Sequence, residues 1–310
     1  MKATLSLFAL VAFLFSAPAV WAALPDGVDV VVAADGSGRY TSLQEAISAA
    51  PMKTGRDEGR WVILVKPGTY RERIYVQRER GNILVKGEDA AKTIIAFDLN
   101  ANLPGPEGKP IGTFRTPTVQ IDGDGMVWEN LTLANTAGPV GQALALRADG
   151  DRLVFRRCRF LGWQDTILVN RGRQYFEDCY IEGHVDFIFG GATAWFQHCH
   201  IHCLRDGYIT AASTPQGQAH GFVFADCEIT GADGRRLADV WREGPQAHLG
   251  KDNENGARMA VDELNAKGFE IGNIDSTIVA QAPKLAPHIE KMRERIAQVL
   301  GLDVGCQLGC

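Results

Sequence analysis

Phe155-x-x-Cys158-x-Phe160 returns as Phe176-x-x-Cys179-x-Ile181, Phe196-x-x-Cys199-x-Ile201 and Phe224-x-x-Cys227-x-Ile229. The frames start 21, 20 and 28 residues apart, and Gly162, Gly183 and Gly231 follow three of them within a few residues. A weaker copy, Val127-Trp128-Glu129-Asn130-Leu131-Thr132-Leu133, precedes them. Short β-prone stretches that recur every twenty-odd residues, with no helical period, predict a solenoid. A single coil cannot bury its apolar side alone, whereas stacked coils make a continuous core. The expected fold is therefore all-β, a right-handed parallel β-helix. Equivalent residues of adjacent coils should lie one strand spacing apart, about 4.8 Å, so the Phe, Cys and Ile positions should form internal ladders.

The Cys column is read as core packing, although a cross-coil disulfide is geometrically open at that spacing. The chain has seven Cys, too few for a disulfide scaffold of 310 residues, and the odd count leaves at least one unpaired. Towards the N-terminus, Val28 to Val32, Trp61 to Val65 and Ile83 to Val85 read as strands. Ser42-Leu43-Gln44-Glu45 is a capping box opening a helix that Pro51 closes, an N-terminal cap for the open end of the solenoid.

The first 22 residues stand outside this fold. Lys2, the apolar run Leu5 to Phe15 and Val20-Trp21-Ala22 have the order of a secretory signal peptide, and the run is too short to span a bilayer. The mature protein is expected to be secreted, extracellular or periplasmic, with no membrane attachment after cleavage. A net charge of −5 argues against nucleic-acid partners, which need a basic surface to neutralise phosphates.

His198, His200 and His202 alternate with Cys199, Ile201 and Cys203. On a strand the His share one face and the Cys the other, so the run does not read as a metal cluster, and no metal is expected.

Polar residues in register with the repeat point to chemistry. Gln142, Gln164 and Asp186 are 22 and 22 residues apart, and Asp165 lies 21 before Asp186. On neighbouring coils these would bring two carboxylates together, with two amides beside them. Two nearby carboxylates cannot both ionise easily, so one keeps its proton while the other is free to act as a nucleophile. The protonated one can serve a leaving group and then a water, and the amides can donate to a developing oxyanion. This suits acyl transfer from an ester. A lone Asp in a Gly-rich turn, by contrast, is ordinarily a turn residue only.

At these residues the chain resembles the pectin methylesterase (pectinesterase) family. The resemblance is carried by Gly68-Thr69-Tyr70-Arg71-Glu72, Gly141-Gln142-Ala143-Leu144-Ala145-Leu146-Arg147, Gly162-Trp163-Gln164-Asp165-Thr166-Ile167-Leu168 and Gly183-His184-Val185-Asp186-Phe187-Ile188-Phe189-Gly190, over about residues 27 to 230. It implies a pectin lyase-like solenoid acting, without organic cofactor or metal, on methyl-esterified polygalacturonan. Asp186 would be the nucleophile, Asp165 the acid and then base, and Gln142 and Gln164 the oxyanion donors. Thr113, Gln142, Phe187 and Trp241 would contact substrate. The chain is expected to work as a monomer.

The family's Leu-Gly-Arg-Pro-Trp element, whose Arg keeps the nucleophile ionised, has no clear counterpart. The nearest string, Leu237-Ala238-Asp239-Val240-Trp241-Arg242, keeps only Trp241 and puts Asp239 in the place of the Arg. Residues 23–242 are read as the β-helix domain with its last coils truncated, and 243–310 as a helical composite tail that is not an independent domain. In that tail 244–266 resembles a branched-chain amino-acid binding protein, and 273–302 resembles methylerythritol cyclodiphosphate synthase. Two other functions stay open. An inactive carbohydrate-binding relative would bind without releasing methanol. A thioesterase or other esterase on the same fold would be separated by competing substrates.

Overall fold

The computed structural model describes residues 24–52, 59–205, 207–215, 218 and 220–232, with the short pairs 274–275 and 308–309. The expected signal segment 1–22, Trp241 and its neighbours, and nearly all of the 243–310 tail lie outside the described residues.

Each coil places one short strand in each of three parallel sheets of eight, seven and six strands. One coil runs through Leu153–Arg156, Arg159–Leu161 and Ile167–Val169, and the next through Arg173–Glu177, Tyr180–Gly183 and Ile188–Gly190. Strands of three to five residues suffice because each pairs with its counterpart in the coils before and after it. Phe155 stands on Phe176, Phe160 on Ile181, and Ile167 on Ile188. The architecture is the right-handed parallel β-helix that the repeat predicts.

Alternation along each strand sends every second side chain inward. The Phe frame becomes a column of stacked rings: Phe155–Phe176, Phe176–Phe196 and Phe196–Phe224 have centroids 4.8, 4.6 and 4.7 Å apart, with near-parallel planes. The first three of these rings are fully buried. Beside them the Cys thiols stitch coil to coil. Cys179 donates to Phe155 O, Cys199 to Phe176 O and Cys227 to Phe196 O, at 3.4–3.6 Å. Cys158 does the same to Trp128 O, where Trp128 fills the Phe position of the weaker copy. These thiols are unoxidised and buried, and burial pushes that of Cys158 up to about 12. The Cys column is thus core packing, not a disulfide ladder. It is inert because the reactive thiolate is disfavoured.

The N-terminal end is closed by the helix Leu43–Ala49, which buries Leu43, Ala46 and Ile47 over the first coil. Ser42 caps it by accepting from Glu45 N. The reciprocal carboxylate comes from Glu72, which accepts from Ser42 Oγ (2.6 Å), Leu43 N (2.7 Å) and Gln44 N (3.3 Å). Three donors at the helix start are therefore satisfied by one acid from the next coil. Tyr70 of the same motif is buried and donates to Lys66 O. The Gly68-x-Tyr70-x-Glu72 segment is a clasp between cap and solenoid.

Of the three His, only His200 and His202 lie on a strand, His200–Cys203, where both bond Thr230 Oγ1 at 2.8 Å. His198 sits in the preceding turn with a left-handed backbone (φ 52°), between Asp178 and Asp226. Ile201 and Cys203 face the core.

Candidate active site

The site is built on the turn that leads from the seven-stranded to the six-stranded sheet. In two successive coils it reads Gly-x-x-Asp followed by an inward residue: Gly162 to Thr166, and Gly183 to Phe187. Both Asp residues have left-handed backbones, φ 62° at Asp165 and 50° at Asp186. A short polar residue tolerates that conformation better than most. The reversal carries the next side chain inward, against the glycine four residues earlier. A Cβ on Gly183 would lie 2.3 Å from the Cβ of Phe187, and one on Gly162 would lie 2.6 Å from Thr166 Oγ1. Glycine is required because the turn folds onto itself there.

This geometry corrects one expected substrate contact. Phe187 does not face the groove, since it is fully buried in the core, in the same place as Thr166 one coil earlier. The left-handed Asp breaks simple alternation, so Asp186 is outward and partly exposed while Phe187 is inward. The outward aromatic on this strand is Phe189, paired with Leu168 and Ala211 and only partly buried. The alternation of Ile188–Gly190 is the signal that could have found it.

Register decides which polar groups meet. Gln142 pairs with Gln164, as the 22-residue spacing predicts. Gln164, however, pairs with Val185, and Asp165 N donates to Val185 O at 3.1 Å. Asp186 is therefore stacked on Asp165, not on Gln164 as the second 22-residue spacing suggested. The strand register Ile167↔Ile188 gives the same 21-residue step. The extra residue lies one coil earlier, because Gln142↔Gln164 is a step of 22 and Leu146↔Ile167 a step of 21. The backbone of this bulge is satisfied at Leu144. Its N–H donates to Thr116 Oγ1, and its carbonyl accepts from Thr118 N and Asn135 Nδ2, at 3.0–3.1 Å.

The same bulge carries Thr113. Thr116 Oγ1 donates to Thr113 O at 2.7 Å, and Gln142 O accepts from Ala101 N, whose own carbonyl accepts from Gly112 N. Arg147 adds a clamp. Its Nη1 donates to Phe114 O, its guanidinium lies 5.7 Å over the Phe114 ring, and Asp149 neutralises it at 2.5 Å. The short 3-10 turn Thr113–Arg115 is thereby tied to the coil that presents Gln142.

Electrostatics separate the two carboxyls. Asp165 is 8% exposed, and burial, followed by the negative charge of Asp186, pushes its carboxyl up to about 7. At neutral pH a substantial fraction of Asp165 holds its proton beside the more exposed Asp186. Around the pair stand Trp163, whose ring meets His184 edge-on at 5.7 Å, and Tyr208, whose carbonyl accepts from Asp186 N at 2.7 Å. Tyr208 is 47% exposed and was not singled out by the sequence.

Fold and site together define a parallel β-helix carrying a paired-carboxylate centre on one turn. Comparison with known proteins then assigns it: the Pectinesterase family model matches residues 29–260, and the chain belongs to that family. Pectinesterase 31 of Arabidopsis thaliana is 42% identical over 208 residues, 65% of this chain and 65% of that protein. Putative pectinesterase/pectinesterase inhibitor 38 of the same plant is 40% identical over 240 residues, 76% of this chain and 48% of the relative. Among solved structures, a pectin methylesterase from carrot matches with a TM-score of 0.62 and 38% identity, covering 69% of this chain and 66% of the other. A pectin methylesterase mutant in complex with a hexasaccharide matches with a TM-score of 0.61 and 30% identity, covering 66% of each chain. The chain spans from about half to about two thirds of the length of these relatives.

Proposed function

We propose that the chain hydrolyses methyl esters of polygalacturonan, as a secreted monomer, with Asp186 as nucleophile and Asp165 as acid and then base. The observation that carries this reading is the stacking of the two aspartates on adjacent coils, one buried with its carboxyl raised to about 7, the other more exposed. Family membership and a relative solved with a hexasaccharide support the substrate class.

The Asp186 carboxylate attacks the ester carbonyl carbon. The resulting oxyanion is met by amide donors from Gln142 and Gln164. Collapse expels the methoxy group, which takes the proton of Asp165 and leaves as methanol, so that Asp186 is held as an acyl anhydride. The Asp165 carboxylate then removes a proton from water, and the hydroxide attacks the galacturonyl carbonyl. Cleavage of the anhydride returns Asp186 ionised, Asp165 protonated and one free galacturonic acid unit, which gives its carboxyl proton to solvent as it leaves as galacturonate. Thr113, tied through Arg147 and Thr116 to the coil of Gln142, and Phe189 on the outer strand face line the approach.

The experiment is methanol release from highly methylated pectin by the purified chain, beside Asp186→Ala. The reading requires release by the parent and a loss of at least about a thousandfold in the variant, with an unchanged melting temperature. Turnover that survives Asp186→Ala contradicts it. A parent that binds pectin and releases no methanol favours the carbohydrate-binding reading.

A further inference from the structure

The outer face of the seven-stranded sheet carries a cluster with no part in the chemistry above. Its centre is the strand His200–Cys203, where alternation turns Ile201 and Cys203 inward and leaves the two imidazoles outside, half-buried. Their nitrogens converge. His200 Nε2 and His202 Nδ1 each lie 2.8 Å from one atom, Thr230 Oγ1, on the neighbouring strand Glu228–Gly231. That hydroxyl carries a single hydrogen, so it donates to one ring and accepts from the other. One lone pair and one N–H thus already point at a common place, and a tautomer shift of one ring turns both lone pairs there.

The surroundings hold the rings in that pose. Tyr180, paired with His200, meets its ring edge-on at 5.2 Å and stacks on that of His202 at 6.2 Å. The Tyr180 hydroxyl is fixed in turn by Glu182 Oε2 at 2.8 Å. Glu182 stands opposite His202 and Glu228 opposite His200, one strand away on either side, and these acids favour a cation between them. Arg159, one coil further back, lies over the Tyr180 ring at 5.5 Å. His198 takes no part, since it sits in the turn between Asp178 and Asp226. Among the described residues no set of three or more His, Cys, Asp and Glu side chains is placed to hold an ion. A site here is therefore a two-imidazole chelate completed by water, unlike the closed four-ligand sites of structural zinc.

We propose that His200 and His202 form a surface chelate for a divalent transition-metal ion that favours imidazole nitrogen and tetragonal geometry, copper(II) or nickel(II). An ion held about 2.1 Å from both nitrogens needs them within about 4.2 Å of each other, and it takes the place of the Thr230 hydroxyl between them. The site is independent of the aspartate pair, and no step of the hydrolysis uses the ion.

Isothermal titration of the metal-free full chain with Ni2+, and electron paramagnetic resonance of the chain loaded with Cu2+, test the chelate. Ni2+ should bind, Cu2+ should bind more tightly, and Mg2+ should not compete. The copper spectrum should show coupling to two imidazole nitrogens. His200→Ala and His202→Ala should each weaken Ni2+ at least about tenfold, the least that loss of a mere outer-shell partner costs, while His198→Ala should change it less than about twofold. Added Ni2+ should raise the melting temperature of the parent and leave that of the double variant unmoved. A parent that binds neither ion, a copper spectrum with fewer than two nitrogen couplings, or an affinity undiminished in either single variant would overturn the site. Should the alanine variants melt early without metal, His200→Gln and His202→Gln, which keep a polar contact for Thr230, give the same reading.

Discussion

The interior of the β-helix and the turn beside it follow opposite rules. Inside, the same residue type recurs coil after coil, with Phe on Phe and Cys on Cys at a nearly constant spacing. On the turn, the step between coils changes from 22 at Gln142↔Gln164 to 21 at Ile167↔Ile188 and 22 at Ile188↔Thr210, and the outward residues change from amide to carboxylate with it. Constant register makes a rigid rail. Small changes of turn length on that rail decide which functional groups face each other. A one-residue bulge at Ala143–Ala145 sets Gln142 in register with Gln164, and the absence of one in the next coil stacks Asp165 on Asp186.

The rail should be the more sensitive region to loss of volume. Phe176→Ala removes a ring stacked on both sides, and it should cost about 3–5 kcal/mol of unfolding free energy in urea or guanidinium titration, since neighbouring coils cannot collapse onto the gap. A change below about 1 kcal/mol would show that the ladder does not set stability. Gly183→Ala tests the turn where it leans on the rail. The added methyl meets Phe187, so a loss of about 1–3 kcal/mol is expected, together with lower methanol release, because Asp186 lies between the two clashing residues. Loss of stability with full activity would separate the turn from the site.

Asp165→Asn should act in the other direction. In the folded chain Asp165 titrates at about 7, and in the unfolded chain at about 4. Between these values the folded state keeps a proton that the unfolded state has released, so this group's stabilising contribution, complete below about pH 4, is lost as pH rises through 7. The Asn variant has no such loss. Its stability relative to the parent should therefore grow between pH 4 and pH 8 by roughly 1–3 kcal/mol, measured as the difference in melting or denaturant midpoints, while methanol release is abolished. A pH-independent difference would mean that Asp165 is not held protonated by its surroundings.

The rail was legible because the core repeats a pattern at the coil period, and the Phe and Cys frames align without reference to turn length. The Asp165–Asp186 step of 21 was legible for the same reason, since it equals the strand register on both sides. Gln164 was placed against Asp186 because a step of 22 fits the spacing equally well, and sequence does not show which coil carries the extra residue. Phe187 was put in the groove because a left-handed Asp reverses the direction of the next side chain. Glu72 looked like part of a family motif, and its work as the cap of a helix some thirty residues earlier depends on coil stacking.

The central claim is that stacking the two aspartates keeps Asp165 protonated beside an Asp186 free to attack. It is tested most directly by following carboxyl carbons of selectively labelled Asp by nuclear magnetic resonance across pH. The account predicts one resonance titrating near 7, absent in Asp165→Asn and moved to lower pH in Asp186→Asn, where the neighbouring charge is gone. If every Asp carboxyl titrates in the ordinary range near pH 4, or if the raised resonance is indifferent to Asp186→Asn, the pair is not coupled as described.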